Sequence, residues 1–462
     1  MRHLATILNT SALLLALLFS TAYSQEQTSP PPLDSKQVEI LSSNIIFGTQ
    51  ADRNVALDAL VARGNPDVVA TIILALRYQG ARPKFVAALK ALTGEVLTNW
   101  NSAMLWQEAH SEIVPHESFR QFKLRVFRSI DPNFMQFLGE ERALRANMKI
   151  RLEEITWGGV QKDGIPSLDN PTLIDAAQAD YMRGDDLVFG VAINGDVRAY
   201  PLRIMGWHEM FNEVIGGVPV ALAYCTLCGS GILFETTVAG RGEPLVFGSS
   251  GFLYRSNKLM FDRATHTLWN QFTGKPVSGE LVNSGIELVQ RPVVIDTWAN
   301  WRAANPDTKI LSQQTGYRRD YGSGVVYNSY FSSPDLMFPV VVDERQNRQK
   351  DYVFGVRQFG GAKAWPLKAF EQTRVINDGL GDRPLVLIGD AQTRTVRAYE
   401  RGALEFSGTT TSVTSGDGVR WQITEDALVA SDGRELPRVA GHIAFWFAWD
   451  GYLGLTSELF DG

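Results

Sequence analysis

The chain has 462 residues, 45% of them apolar and 20% charged. That is enough for two or three domains with real cores and excludes a disordered chain. Lys and Arg number 44 against 50 Asp and Glu, for a net charge of −6. Nucleic acid is therefore excluded as the main partner, because phosphate binding needs a basic surplus. Two cysteines exclude a disulfide-rich scaffold and an iron–sulfur protein with its own four thiolates. Six histidines confine any metal site to few candidates.

The N-terminus reads as an export signal. Arg2 supplies a positive start, residues 4–19 are mostly apolar, and Ala22-Tyr23-Ser24 is a small-x-small cleavage site. We expect residues 1–24 to be removed and the body to be periplasmic or secreted, with no transmembrane segment in the mature chain. Both cysteines would then lie where disulfides persist. Residues 25–40, with Pro30-Pro31-Pro32, read as a linker.

Residues 41–150 carry helical periodicity. Leu57, Leu60 and Val61 share one face; Gly64 ends that helix, and Asn65 with Pro66 starts the next. Val68, Ile72 and Leu76 recur at spacing four, and Phe85, Ala88, Leu89 and Leu92 continue the pattern. Two readings fit: a HEAT-like stack of helix pairs, or a small bundle packed on the main domain. His110 and His116 fall in this region and are read as unrelated to any site.

The rest of the chain is one unit used twice. Residues 186–202 (DLVFGVAINGDVRAYPL) match residues 351–367 (DYVFGVRQFGGAKAWPL) at an offset of 165, with 9 of 17 positions identical. Asn212 matches Asn377, Pro219 matches Pro384, Leu222 matches Leu387 and Glu235 matches Glu400. Trp298-x-x-Trp301 reappears as Trp446-x-x-Trp449 after a change of register. Each unit reads as mainly β. Asn194-Gly195 predicts a tight hairpin, Val218 to Tyr224 a near-continuous apolar strand and Ile232 to Phe234 another. Residues 202–214 read as helical or irregular. The fold class expected is α+β: a small α-helical N-terminal region, then a duplicated, mainly antiparallel β domain. The first repeat spans 151–315 and a degenerate second spans 316–462.

The two copies differ in their chemistry. The first has Tyr224-Cys225-Thr226-Leu227-Cys228-Gly229 where the second has 389–394 (GDAQTR), and His208 where the second has Thr373. Cysteines and histidine are lost together. A Cys-x-x-Cys-Gly turn between strands supplies half of a tetrahedral metal site. With His208 and His266 as further ligands, Cys225 and Cys228 would suit Zn or Cu. Two other readings compete: a redox-active dithiol, for which the spacing is right but no helix N-terminus lowers a thiol pKa, and a disulfide that only staples a hairpin. His208 also reads as a hydrogen-bonded core residue, and His442 as structural. Residues 251–271 interleave Arg255, Asn257, Lys258, Asp262, Arg263 and Gln271 with large apolar residues, Trp269 among them. They form either a half-exposed sheet or a polar pocket wall, in which Arg255 and Lys258 would hold an anion. No phosphate loop, Gly-x-Ser-x-Gly elbow or His-Glu-x-x-His motif occurs.

Residues 187–235 followed by 247–271, with Trp207-His208-Glu209, Tyr224-Cys225-x-x-Cys228-Gly229 and Met260-Phe261-Asp262-Arg263 in order, closely resemble the bacterial domain of unknown function 3179. The resemblance runs from about Ile155 to Trp449. It implies that His208, Cys225, Cys228, Asp262, Arg263, Trp269 and Gln271 occupy family motif positions, without saying what they do. Thr226 stands where the motif has proline. The functions expected are metal binding (Zn or Cu), with an enzymatic use left open; alternatively thiol–disulfide redox chemistry; alternatively a binding or assembly module whose cysteines are structural. The partner would be a small molecule or a protein.

Overall fold

Two structural halves follow from the two kinds of periodicity, helical at the front and strand-like behind it. The computed structural model describes residues 33–139 and 141–462. The expected signal peptide and most of the linker lie outside these residues. The linker ends earlier than expected, because Asp34 and Gln37 form a capping box that starts a helix at Ser35.

Six helices build the front: α1 (Ser35–Phe47), α2 (Gln50–Ala62), α3 (Val69–Gln79), α4 (Pro83–Thr93), α5 (Trp100–Ala109) and α6 (Ser118–Ile130). Asn65 caps a helical turn with Pro66 at its first position, and that turn runs into α3. α3 is buried almost all round, through Val69, Ile72, Ile73 and Leu76, so it forms the centre. α6 packs on both α1 and α3. Contacts between elements this far apart in sequence describe a closed bundle rather than a one-dimensional stack of helix pairs. The bundle docks on the β region through Phe127, Phe134 and Phe137, which pack against Phe252 and Phe261. Beside them the Lys123 ammonium is buried and donates to the carbonyls of Leu152, Glu153 and Ile155 at 2.6, 3.2 and 2.6 Å. Burial pulls its pKa down to about 7. No helix among the described residues is long and apolar enough to cross a membrane.

The first β unit contains β1 (Leu187–Ile193), β2 (Asp196–Pro201), β3 (Met210–Ile215), β4 (Val218–Cys225), β5 (Ser230–Glu235), β6 (Phe247–Tyr254), β7 (Asn257–Asp262), β8 (Val294–Thr297) and β9 (Lys309–Leu311). The hairpin β1–β2 turns at Asn194-Gly195, both with positive φ, as a two-residue turn between right-twisted strands requires. The stretch 202–214, expected to be helical or irregular, divides into a helix (Leu202–His208) and β3. β6 and β7 are buried along their whole length, because the bundle covers the face that a half-exposed sheet would give to water.

The second unit contains β10 (Tyr352–Gln358), β11 (Gly361–Pro366), β12 (Val375–Leu380), β13 (Arg383–Asp390), β14 (Thr395–Glu400), β15 (Gly441–Phe445) and β16 (Glu458–Leu459). Part of the first unit's arrangement is repeated in the second. The order β8-β1-β2-β9 recurs as β15-β10-β11-β16, antiparallel except for the parallel pairs β2–β9 and β11–β16; the first sheet adds a fifth strand (Leu173–Asp175) antiparallel to β9. Even the register agrees: Ala199 faces Ile310 across one parallel pair and Ala364 faces Leu459 across the other. In both units an asparagine side chain clasps the next strand. Asn212 Nδ2 donates to the Phe247 carbonyl (2.9 Å) and its Oδ1 accepts from the Phe247 N–H (2.8 Å). Asn377 does the same to Phe406 at 2.7 and 2.8 Å.

The register change between copies has a plain cause. After the clasp the first unit inserts the buried strands β6 and β7, whereas the second inserts a five-strand meander over 406–439. With β12–β14 the meander makes an eight-stranded, nearly closed sheet. The units pack reciprocally: β15 runs beside β5, and β8 beside β14. One core holds Phe189, Tyr200 and Leu222 of the first unit together with Phe354, Trp365 and Leu387 of the second.

Candidate functional site

Cys225 ends β4, Cys228 precedes β5, and the two are joined as a disulfide. The turn is closed by the Cys228 N–H donating to the Cys225 carbonyl (3.1 Å) and the Gly229 N–H to the Thr226 carbonyl (3.2 Å). Gly229 has φ +61°, and a Cβ there would meet Tyr352 and Phe445 of the second unit at 3.0 and 3.2 Å. Glycine is thus required twice, by the backbone and by the close approach of the partner unit. The Phe445 N–H donates to the Cys228 carbonyl (2.8 Å), and the Tyr330 hydroxyl to the Leu227 carbonyl (2.7 Å). The second unit and the connecting segment therefore roof the turn. Cys225 is 2% exposed and Cys228 0%.

Both cysteines belong to an apolar cluster with Leu227, Ile232, Trp269 and Phe445, and polar groups border it. Asn257 places Oδ1 3.1 Å from Cys228 Sγ. Gln271 donates to the carbonyls of Ala223 (2.8 Å) and Ser230 (3.3 Å) on the two cysteine strands. Four buried polar atoms here have no partner: Ser230 Oγ, Ser256 Oγ, Asn257 Nδ2 and Gln271 Oε1. Each such atom costs about 1–3 kcal/mol relative to a satisfied one. The Arg255-Ser256 turn that carries Asn257 to the sulfur has φ +47° and +60°, a conformation that neither residue favours. Glu209, also at positive φ (+55°), accepts from Thr226 Oγ1 (2.8 Å) and from the buried Lys258 ammonium (3.0 Å). A fully buried ion pair, strained non-glycine turns and orphaned polar atoms concentrate around one pair of sulfurs.

The expected metal set is not brought together. Among the described residues no three His, Cys, Asp or Glu side chains are arranged to hold a metal ion. The thiolates that Zn or Cu would use are tied up in the disulfide. His208 is fully buried with both ring nitrogens engaged: Nδ1 with the Pro166 carbonyl (2.9 Å) and Nε2 with the Tyr321 hydroxyl (2.6 Å). Because the carbonyl can only accept, Nδ1 carries the proton and Nε2 accepts from Tyr321. Burial lowers the His208 pKa, with Arg319 nearby acting in the same direction and the Pro166 hydrogen bond opposing it. His266 lies in a different place, against Phe137 and Phe261, its pKa also lowered by burial.

The polar residues of 251–271 divide between four tasks. Lys258 and Gln271 belong to the sulfur site. Arg255 does not hold an anion there: it pairs with Glu154 (2.7 Å) and Glu108 (3.6 Å) where bundle meets sheet. Burial raises the Glu108 pKa to about 7. Asp262 is a turn knot, accepting from the Thr265 N–H (2.7 Å), the Thr265 hydroxyl (2.7 Å) and Trp269 Nε1 (3.0 Å). Arg263 forks onto Asp163 at 2.9 and 3.0 Å. Ser230 and Ser256 carry no signal in the sequence; Asn257 is visible there only as one polar residue of 251–271, and Glu209 only beside His208. Glu209 has a further signal, since its counterpart in the second copy is Arg374, which pairs with Asp390 at the position of Cys225 (3.2 Å). A cleft of about 1030 Å3 between α6 and residues 143–153 contains neither cysteine nor His208; size and chemistry diverge here, and the chemistry identifies the site.

Fold and site together define a two-unit β protein, fronted by a helical bundle, with a buried Cys-x-x-Cys disulfide under the unit interface. The chain belongs to the family described as Protein of unknown function (DUF3179), whose model matches residues 162–456. No curated protein and no solved structure matches the chain.

Proposed function

We propose that this is an extracytoplasmic thiol–disulfide protein in which Cys225 and Cys228 cycle between disulfide and dithiol. The observation that carries the reading is the Asn257 carboxamide at 3.1 Å from Cys228 Sγ within a cluster of unpartnered buried polar atoms. A disulfide that only staples a hairpin would be served by the apolar packing around the pair, but the orphaned polar atoms beside it would then be pure cost. A dithiol uses the carboxamide. A disulfide sulfur has no hydrogen to give, whereas a Cys228 thiol donates to Asn257 Oδ1. Turned about its amide, the same side chain offers Nδ2 to a thiolate.

The exchange balances with a substrate dithiol. A substrate thiolate attacks one sulfur of the pair, the Cys225–Cys228 bond breaks, and the leaving sulfur takes a proton. The second substrate thiolate resolves the mixed disulfide. The protein gains two electrons and two protons, and the substrate leaves as a disulfide. The roof of Tyr330, Tyr352 and Phe445 must open for the attack, so the reading predicts slow exchange limited by opening. The export reading of residues 1–24 supports this chemistry by placing the protein where thiol substrates are oxidised. The doubled β unit supports a division of labour: one copy keeps the sulfurs, and the other, having lost them, forms their cover.

Trapping tests the proposal. Native protein treated with mild dithiol and then alkylated should gain two labels while its circular dichroism stays native; Cys228→Ser should leave Cys225 labelled without reductant. Labelling only after denaturation would contradict the reading.

A further inference from the structure

We infer that a second site, unconnected with the disulfide chemistry, binds a small organic oxyanion. A cleft of about 790 Å3 is lined by Arg203, Arg318 and Arg319 with Tyr181, Tyr317 and Tyr321. Arg203 is neutralised by Asp186 (3.4 Å), which leaves Arg318 and Arg319 facing one lining carboxylate, Asp320, whose Oδ1 is occupied by the Gly322 N–H (2.8 Å). The chain as a whole carries net charge −6, so this is a local reversal of sign. Among the described residues no carboxylate pairs with Arg318 or Arg319. Arg319 stays near Trp207 (5.8 Å to the ring) and donates to the Arg318 carbonyl (3.1 Å).

The third arginine, Arg203, is nine-tenths buried: it pairs with Asp186 (3.4 Å), donates to the Tyr181 carbonyl and stacks on the Tyr181 ring (5.3 Å), so it builds the cleft wall while Arg318 and Arg319 carry the free charge. Below the cleft, His208 Nε2, the Tyr321 hydroxyl and Thr315 Oγ1 form a chain with steps of 2.6 Å. This fixes the Tyr321 hydroxyl at the cleft floor and gives His208 a positioning role. Guanidinium forks match carboxylate, sulfate and phosphate oxygens. The tyrosines offer ring faces to the body of the ligand; the hydroxyl hydrogens of Tyr181 and Tyr321 are given to the Leu311 carbonyl and His208 Nε2, which leaves the Tyr317 hydroxyl to donate, and the volume lies within the usual range for small-molecule sites, about 300–1,000 Å3. The ligand class is an oxyanion on a hydroxylated or cyclic body.

Calorimetry on the full chain tests this, with citrate, glucuronate, sulfate and phosphate as probes and glucose as the neutral control. At least one anion should bind, more weakly at higher salt, and lose about tenfold or more in affinity in the Arg318→Ala/Arg319→Ala double variant. Both residues are exposed, so that variant should fold. Absence of binding by every anion at about 10 mM, or binding unchanged in the double variant, would overturn the inference. The anion that binds best identifies the group recognised.

Discussion

At the residue scale the account rests on Asn257 and its neighbours. Its Oδ1 faces Cys228 Sγ at 3.1 Å, a contact that becomes a hydrogen bond only once the sulfur is protonated. Asn257→Leu keeps the bulk and removes the acceptor. The dithiol should lose about 1 kcal/mol, so the reduction potential should fall by about 20 mV. Measurement of both proteins in the same redox buffer checks this, and an unchanged potential would detach Asn257 from the sulfur chemistry. Of this site the cysteines, Lys258 and Gln271 stand out in the sequence, because motif and spacing are local. Asn257 is visible only as one polar residue among several, and Ser256 not at all, because a strained turn brings them to the sulfur across a sheet. His208 is marked by its loss in the second copy, but its partners, Pro166 and Tyr321, lie 42 and 113 residues away. No local pattern shows that both its nitrogens are taken.

At the element scale the two units give paired predictions. A Cβ added at Gly190 would meet the Trp301 ring at 2.2 Å, and one at Gly355 would meet Trp449 at 1.8 Å. Neither glycine has a positive φ, so the cost of substitution is steric alone. Gly190→Ala and Gly355→Ala should each destabilise by about 3 kcal/mol, read as a lower denaturation midpoint. A negligible effect at either would mean that helix and hairpin are not locked as described. The glycines and tryptophans were legible as a repeated pattern, which is why the doubled unit could be read from the chain. The meander at 406–439 was not, because only one copy has it and short strands carry little periodicity. The half-exposed sheet expected over 251–271 failed because the bundle covers it. Sequence alternation reports which residues are polar, whereas here the polar ones are buried in pairs such as Lys258–Glu209 and in the Asp262 turn.

At the scale of the molecule, neither unit is complete alone, since one core draws on both and the roof over the cysteines is borrowed. His442 of β15 shows how that joint responds to pH. It lies beside Gln290 of the first unit (3.2 Å), and burial, helped by Arg357, lowers its pKa to about 3. In the unfolded chain its pKa is about 6.5. Below pH 6.5 the unfolded state takes up a proton that the folded state refuses. Stability should therefore fall as pH drops from 6.5 toward 3, by up to about 1.4 kcal/mol per pH unit from this residue. His442→Asn should flatten that slope when denaturation midpoints at pH 7 and pH 4.5 are compared. An unaltered slope would show that His442 is not held neutral at the joint.

The most direct test of the central claim is the equilibrium reduction potential of Cys225–Cys228 in the folded, full-length protein, measured by alkylation across a graded dithiol series with circular dichroism at each point. The account predicts a reversible two-electron transition at a potential more oxidising than about −300 mV, with native structure on both sides. A pair that stays oxidised well below that potential, or that is reduced only as the fold is lost, would contradict it and leave the disulfide as a structural staple.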